Sequence, residues 1–295
     1  MLLFLKQLVN GVQVGSIYAL VALGYTMVYG IAKLINFAHG DFIMVGAYVA
    51  LLTAPFLAAN GIPVWLCVFP AILVTMTIGV LSERIAYKPL RGSPRISVLI
   101  TAIGVSLFLE NLAMRLFTPN PRPFPGFLPT KPIVIGSFQI SFVAAFTIAL
   151  SVVMMVGLTL FIKKTKMGKA MRAVSEDAGA AQLMGISVNR TISVTFAIGT
   201  ALAAVAAVLY CQAYQQVEPL MGSTLGLRAF IAAVFGGIGI LPGAMLGGLL
   251  MGVIESLTKA YISTQLAEAV VYGVLIVVLL VKPTGLLGKK TSEKV

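Results

Sequence analysis

Charge is scarce in this chain: only 10% of its 295 residues are Asp, Glu, Lys or Arg, whereas 59% are hydrophobic. A water-exposed surface needs far more charge, so the composition excludes a soluble protein of this length. Apolar runs of about 20 residues recur, the length of a membrane-spanning helix. The short alternating segments of a membrane β-barrel are missing. We therefore predict an all-α, polytopic transmembrane helical bundle, formed as a single integral-membrane domain over residues 1–295.

Residue types that carry catalysis or bind metals are scarce as well. His39 is the single histidine, and the two cysteines, Cys67 and Cys211, lie in apolar runs, so we expect no metal site and no disulfide framework. The sequence has no hydrolase nucleophile motif and no nucleotide-binding loop. It therefore predicts a protein that is not an enzyme and has no cofactor, and any ATP that drives it must bind another subunit. Residues 1–10 lack the features of a cleaved signal peptide.

Basic residues outnumber acidic ones by 21 to 9, but their distribution says more than the net charge of +12. They flank apolar spans, which favours a membrane topology signal over nucleic-acid binding. In our assignment, 15 of the 21 lie on one side, including Lys289, Lys290 and Lys294 of the tail, five lie on the other, and Arg228 lies within a span. We therefore predict residues 82–95, residues 163–190 and the C-terminus inside, with the N-terminus and the proline-rich residues 118–131 outside.

The apolar runs predict about eight membrane spans, some of them broken or short. Residues 225–240 are apolar but short, contain Arg228 and four glycines, and are typical of a broken or half-length crossing. Whether they cross fully stays open, and the direction of the last spans depends on it. The predicted spans are residues 8–29, 42–59, 64–81, 96–117, 141–162, 191–214, 241–260 and 266–281.

Residues 35–42 (INFAHGDF) interrupt the first two apolar runs. A break buried in protein exposes backbone and polar groups to a solute, as in the discontinuous helices of transporters. The alternative is a cytoplasmic hairpin loop in which Asp41 caps the next helix. The candidate pathway residues in this break are Asn36, His39, Gly40 and Asp41.

Residues 235–248 (FGGIGILPGAMLGG) are dense in glycine. Glycines allow an unwound backbone beside a solute, and they equally allow close packing of helices. The candidate pathway residues here are Gly236, Gly237, Gly239 and Gly243. Two acidic residues within spans, Glu110 and Glu255, also either line a pathway or hydrogen-bond between helices, and these alternatives stay open.

A polar island at residues 163–186 separates two long apolar stretches and is compatible with a helix. The positive-inside rule explains its lysines but not its Ala, Met and Leu side chains. A solvated linker would not need these apolar groups. We therefore predict a cytoplasmic helix with an apolar face that docks on a soluble partner.

Residues 176–186 (EDAGAAQLMGI) resemble the cytoplasmic Glu-Ala-Ala loop of ABC importer permeases, although Asp177 replaces the first Ala and Gly179 follows at once. Together with residues 35–42 and residues 236–243 (GGIGILPG), they make the chain similar to the Liv-type permease family of high-affinity branched-chain amino acid uptake. The similarity covers essentially the whole chain.

This resemblance implies a multi-pass protein of the bacterial inner membrane that contacts lipid. Its implied partners are a second, homologous permease, two cytoplasmic ATP-binding subunits and an extracytoplasmic substrate-binding protein. The alternatives are the same machine importing urea or short-chain amides, or a stand-alone secondary transporter that uses Glu110 or Glu255 for ion coupling. The island becomes the coupling helix, and its predicted contacts with the ATPase are Met171, Val174, Glu176, Asp177, Ala178, Leu183 and Gly185.

Overall fold

The computed structural model describes residues 2–136 and 138–288, and nearly every apolar run is a helix. Lys289, Lys290 and Lys294 of the predicted basic tail lie outside the described residues. The helices are α1 Leu2–Ala32, α2 His39–Ala59, α3 Val68–Ser82, α4 Arg95–Phe117, α5 Phe142–Lys164, α6 Lys166–Glu176, α7 Ala178–Leu183, α8 Val188–Tyr214, α9 Met221–Gly236, α10 Leu241–Tyr261 and α11 Ala267–Val281.

Short turns and strands complete the described chain. A 3-10 turn at Val64–Cys67 leads into α3, and a π turn at Glu83–Tyr87 and a 3-10 turn at Lys88–Leu90 extend it. Strand β1 (Arg122–Pro123) pairs antiparallel with β4 (Gln216–Val217). Strand β2 (Ile133–Ile135) pairs antiparallel with β3 (Phe138–Ile140). These small pairings tie loops together and leave the helices to form the body of the protein.

The prediction of an all-α polytopic bundle is confirmed, since seven segments of the described chain are long and apolar enough to cross a membrane. The predicted span at 266–281 forms as α11, but it has only 15 residues. At 1.5 Å per residue, it reaches about 23 Å, which is short of the hydrocarbon thickness of roughly 30 Å. Helix α9, with 16 residues, is similarly short, as predicted for 225–240. The full-length spans therefore number seven among the described residues instead of about eight.

Helices α1 and α8 form the centre of the bundle. Helix α1 packs against α5, α8, α9 and α10, and residues 17–23 are at most 1% exposed. In the apolar 18-residue stretch of each helix, 78% of α1 and 72% of α8 is buried, compared with 28% in both α4 and α5. Two helices therefore organise the interior, and α4 and α5 present most of their apolar surface outward, where lipid solvates it.

Segments that the charge count assigns to the inside share one end of the bundle. Helix α6 contacts α1 and α8, and Arg91 hydrogen-bonds Asn189 at the start of α8. The C-terminal segment reaches the same region, because Leu286 N donates to Phe235 O at 2.9 Å. At the opposite end, Phe124 N donates to Gln215 O at 2.9 Å. Residues 215–240 therefore connect the loop before α5 with the C-terminal segment, and the direction of α10 and α11 stays a prediction.

Candidate functional site

The predicted break between the first two spans lies inside the bundle. Residues 33–38 are non-helical, and the chain turns back at Lys33, whose φ is 54°. The His39 imidazole fills the space beside Gly24, where an added Cβ atom would lie 2.3 Å from His39 Nε2. Gly199, near the middle of α8, borders the same ring. Helix α2 therefore begins inside the bundle, against α1 and α8, and the two interpretations of this segment, a pathway break and a cytoplasmic hairpin loop, both stay predictions.

His39 lies in an aromatic setting without hydrogen bonds. Its ring stands edge-on to Tyr25, with centroids 4.6 Å apart, and to Phe42, with centroids 6.3 Å apart. Both ring nitrogens are buried, and neither has a hydrogen-bond partner among the described residues. Buried polar atoms usually have partners, so this histidine is unusual for a packing residue.

Asp41 lies in the first turn of α2 and is fully buried. The expectation that it caps the helix is wrong, because α2 begins two residues earlier at His39 and no side chain caps its start. Ser106 and Glu110 of α4 lie beside the carboxyl group. Neither carboxyl oxygen has a hydrogen-bond partner among the described residues. A buried carboxyl group without a partner is costly, which marks this point as a functional candidate.

Asn36 is held from one side only. Tyr87, in the π turn after α3, donates a hydrogen bond of 2.6 Å from its hydroxyl to Asn36 Oδ1. Asn36 Nδ2 is buried and has no acceptor among the described residues. The break therefore presents an amide N–H group, an imidazole and a carboxyl group whose hydrogen-bonding capacity is unused.

Gly40 allows α2 to touch α9. A Cβ atom on Gly40 would lie 2.4 Å from Gly222 O, and one on Gly226 would lie 2.5 Å from Gly40 Cα. The two backbones therefore meet directly where both helices begin. Sequence reasoning missed Gly222 and Gly226, although their spacing, Gly-x-x-x-Gly, is a known signal for close helix approach in membranes.

The glycine-rich run at 236–243 lies at a different depth. It forms a turn in which Gly237 and Gly239 have φ of 111° and 91°. Gly236 and Gly243 face each other so closely that a Cβ atom on Gly236 would lie 1.8 Å from Gly243 O. Ten residues of α9 separate Gly226 from Gly236, which is about 15 Å. Tight packing accounts for Gly236 and Gly243, positive φ values favour glycine at 237 and 239, and the role of all four in a pathway stays a prediction.

A second polar cluster connects four helices. Tyr18 donates a hydrogen bond of 2.7 Å to Glu255 Oε2, and Lys259 Nζ lies 2.5 Å from Glu255 Oε1. Arg228 forms ion pairs with Glu255, at 3.4 Å, and with Glu268. Of the two open interpretations of Glu255, interhelical hydrogen bonding is the one that this geometry supports.

The island forms two capped helices. Thr165 caps α6 by accepting a bond of 3.0 Å from Gly168 N, and Gly168 lies in the first turn of the helix. Asp177 caps α7 by accepting a bond of 2.9 Å from Ala180 N. Met171 and Val174 are buried against the bundle, so they hold α6 in place and are not exposed to a partner.

The exposed part of the island is centred on α7. Leu183 is 90% exposed and Met184 is 82% exposed. Gly185 ends the segment at a φ of 80°, with nothing within 4 Å of an added Cβ atom. Glu176, Asp177 and Ala178 are also exposed. These residues form an apolar tip with an acidic flank.

Comparison with known proteins identifies the family. A sequence model of the family described as "Branched-chain amino acid transport system / permease component" matches residues 7–280. The high-affinity branched-chain amino acid transport system permease protein BraD of Pseudomonas aeruginosa is 46% identical over 302 residues, which cover 99% of this chain and 98% of BraD.

Two proteins named LivH are also similar. LivH of Escherichia coli K12 is 45% identical, with 100% of this chain and 98% of that protein covered. The probable LivH of Methanocaldococcus jannaschii is 31% identical, with 96% and 92% covered. These relatives are transport permeases of nearly the same length as this chain. The resemblance seen in the sequence is therefore confirmed: the chain belongs to the family of permease components of branched-chain amino acid transport systems.

Proposed function

We propose that the chain is one integral-membrane domain that forms the translocation pathway of an ATP-driven importer for branched-chain amino acids. This proposal rests on the break inside the bundle, where Asn36, His39 and Asp41 have buried polar atoms without partners among the described residues. Two helices, α2 and α9, begin at this point. Discontinuous helices of this kind form solute sites near the middle of the membrane in other transporters.

The chemistry of the break favours an amino acid over urea or a short-chain amide. A carboxyl group with both oxygens free is suited to accept hydrogen bonds from an α-ammonium group. Urea and amides carry no positive charge and would make weaker use of Asp41. The rings of Tyr25 and Phe42 next to His39 offer apolar surface for an aliphatic side chain.

The proposed partners are a homologous permease, two cytoplasmic ATP-binding subunits and an extracytoplasmic substrate-binding protein. The sequence has no nucleotide-binding loop of its own, so another subunit must hydrolyse ATP. The tip of α7 suits this contact, because Leu183 and Met184 are apolar and almost fully exposed. A stand-alone carrier would have no use for such a tip.

The coupling role predicts the effect of changes at the tip. Leu183→Ala should lower uptake about tenfold, since an interface anchor contributes about 1–3 kcal/mol. Gly185→Leu adds about 1–2 kcal/mol of backbone strain at its left-handed φ and should abolish uptake while the protein stays in the membrane. For both variants, leucine uptake and the stimulation of ATPase activity by loaded binding protein are measured in proteoliposomes.

Val134→Ala is the matched control, because Val134 is 61% exposed and lies in the β2–β3 pairing between α4 and α5, at the end of the bundle opposite α7. It should leave uptake unchanged. If Leu183→Ala also transports at the normal rate, the tip does not couple the two subunits. If the purified chain takes up leucine without any ATPase, the protein is a secondary transporter.

We also propose that the protein lies in the bacterial inner membrane with its N-terminus outside and its C-terminus in the cytoplasm. Cysteines are introduced singly at Ser175 and Thr130 after Cys67 and Cys211, both buried, are replaced by Ala. An impermeant maleimide should label position 130 in intact cells, and position 175 only after permeabilisation. Labelling of position 175 in intact cells would reverse the orientation.

A further inference from the structure

A cavity of about 450 Å³ opens at the end of the bundle opposite α6 and α7. It lies between the start of α3, the loop at 124–128, α5 and α8, so the predicted pathway residues do not line it. Its walls are aromatic and aliphatic, with Phe69, Phe146, Leu150 and Val208 among them. Among the described lining residues, Gln212 is the one with a polar side chain, apart from the indole N–H of Trp65. The cavity is therefore suited to an apolar ligand with a single polar contact.

Gln212 supplies an unused hydrogen-bond donor at this cavity. It is 3% exposed, and its Oε1 accepts bonds from Phe127 N at 3.3 Å and Leu128 N at 3.4 Å. These two bonds fix the orientation of the amide, because the reverse orientation would set N–H against N–H. Gln212 Nε2 is then buried without an acceptor among the described residues. A ligand that fits the cavity should therefore bring an acceptor.

The mouth of the cavity opens on an exposed apolar surface. Trp65 and Phe69 line it and are 52% and 60% exposed. The apolar surface continues along α3 to Leu73, which is 62% exposed. Exposed aromatic side chains near the end of a span are typical of the membrane interface. At this depth, the ester carbonyls of lipids lie just above their acyl chains.

We propose that the cavity binds one acyl chain of a membrane glycerolipid, whose ester carbonyl accepts a hydrogen bond from Gln212 Nε2. A free amino acid is a poor occupant, because one amide cannot compensate for desolvating both its ammonium and its carboxylate group. A helix of a second protein is also a poor occupant, because its backbone carbonyls are already paired within the helix. An ester carbonyl has no such partner.

The test uses the full-length chain, purified with its co-expressed partners in nanodiscs that contain phosphatidylcholine with a diazirine on one acyl chain. Illumination should cross-link the lipid to α8 around Val208. Val208→Trp fills the cavity and should reduce this cross-link about tenfold. Leu150→Trp fills it from α5 and should do the same, which guards against misfolding of either variant. Leu73→Trp, on the exposed face of α3, is the control and should leave the cross-link unchanged.

Gln212→Glu isolates the hydrogen bond, since it keeps the acceptor for Phe127 N and Leu128 N and removes the amide donor. It should lower the cross-link severalfold in a correctly folded protein. The proposal fails if the cross-link survives both tryptophan variants, or if excess free leucine displaces the lipid, which would make the cavity a substrate site. It also fails if the cross-link forms only on the isolated chain and disappears in the assembled complex, which would make the cavity a protein interface.

Discussion

Two clusters of polar side chains lie inside this bundle, and they differ in whether their atoms are paired. In the paired cluster, both oxygens of Glu255 accept hydrogen bonds, and Arg228 forms two ion pairs. In the open cluster, five of the buried side-chain nitrogen and oxygen atoms have no partner among the described residues. The paired cluster consists of Tyr18, Arg228, Glu255, Lys259 and Glu268, and the open cluster consists of Asn36, His39 and Asp41.

The difference separates a structural use of polarity from a functional one. Ionisable groups are costly in a membrane unless they are paired, and pairing across α1, α9, α10 and α11 adds polar contacts between helices that already pack together. Burying the polar atoms of the open cluster costs free energy in the same way, but its unpaired atoms do not hold helices together. Natural proteins accept such local conflicts mainly at functional sites. Changes in the paired cluster should therefore affect stability, and changes in the open cluster should affect transport.

The largest effect is expected from Arg228→Met. Removing one partner of a buried ion pair costs about 3–5 kcal/mol, and the lower end applies because Arg228 is partly exposed and Lys259 still contacts Glu255. The thermal unfolding midpoint in detergent should fall clearly, while uptake per folded protein stays close to normal. Arg190→Met, at an exposed position, is the control and should leave the midpoint unchanged.

An Arg228→Met protein that is fully stable but does not transport would remove the distinction between the clusters. Arg228 would then belong to the pathway, and its ion pairs would be incidental to folding.

A smaller effect is expected from Asp41→Asn. Losing a hydrogen bond to a charged group costs about 1.5–3 kcal/mol, so leucine uptake in proteoliposomes should fall about 10- to 100-fold. Because the Asp41 oxygens have no partners to lose, the unfolding midpoint should stay the same or rise. Glu255→Gln is the matched change in the paired cluster and should give the opposite result, with reduced stability and retained uptake. Normal uptake by Asp41→Asn would exclude the break as the substrate path.

The two clusters also mark the limit of sequence reasoning. Asn36, His39 and Asp41 were found because they interrupt an apolar run, and such a signal is local. Arg228, Glu255 and Glu268 lie in three different helices, and nothing in the sequence says which of them meet. Their pairing depends on how α9, α10 and α11 pack, which a single sequence does not determine.

The glycines also show which contacts a single sequence leaves undetermined. The dense run at 236–243 attracted the prediction of a pathway, but it forms a turn at one end of the bundle. Gly222 and Gly226, which contact Gly40 where α2 and α9 begin, lie in a stretch with fewer glycines and were missed. Helix spans follow from hydrophobicity and length, so they were predicted well. Which glycines meet across helices is a tertiary property that composition does not reveal.

The smallest effect is expected from Tyr87→Phe, which removes the one side-chain hydrogen bond made to the open cluster by the described residues. Loss of the bond to Asn36 Oδ1 leaves a buried acceptor unpaired, and the cost should be about 1 kcal/mol. Leucine uptake should therefore fall about fivefold, with the loss appearing in the apparent KM because Asn36 is no longer positioned. Tyr48→Phe is the matched control, since the buried Tyr48 hydroxyl has no partner among the described residues and its removal should cost nothing. Equal losses in the two variants would mean that the phenol groups act only through packing, and that Asn36 needs no positioning for transport.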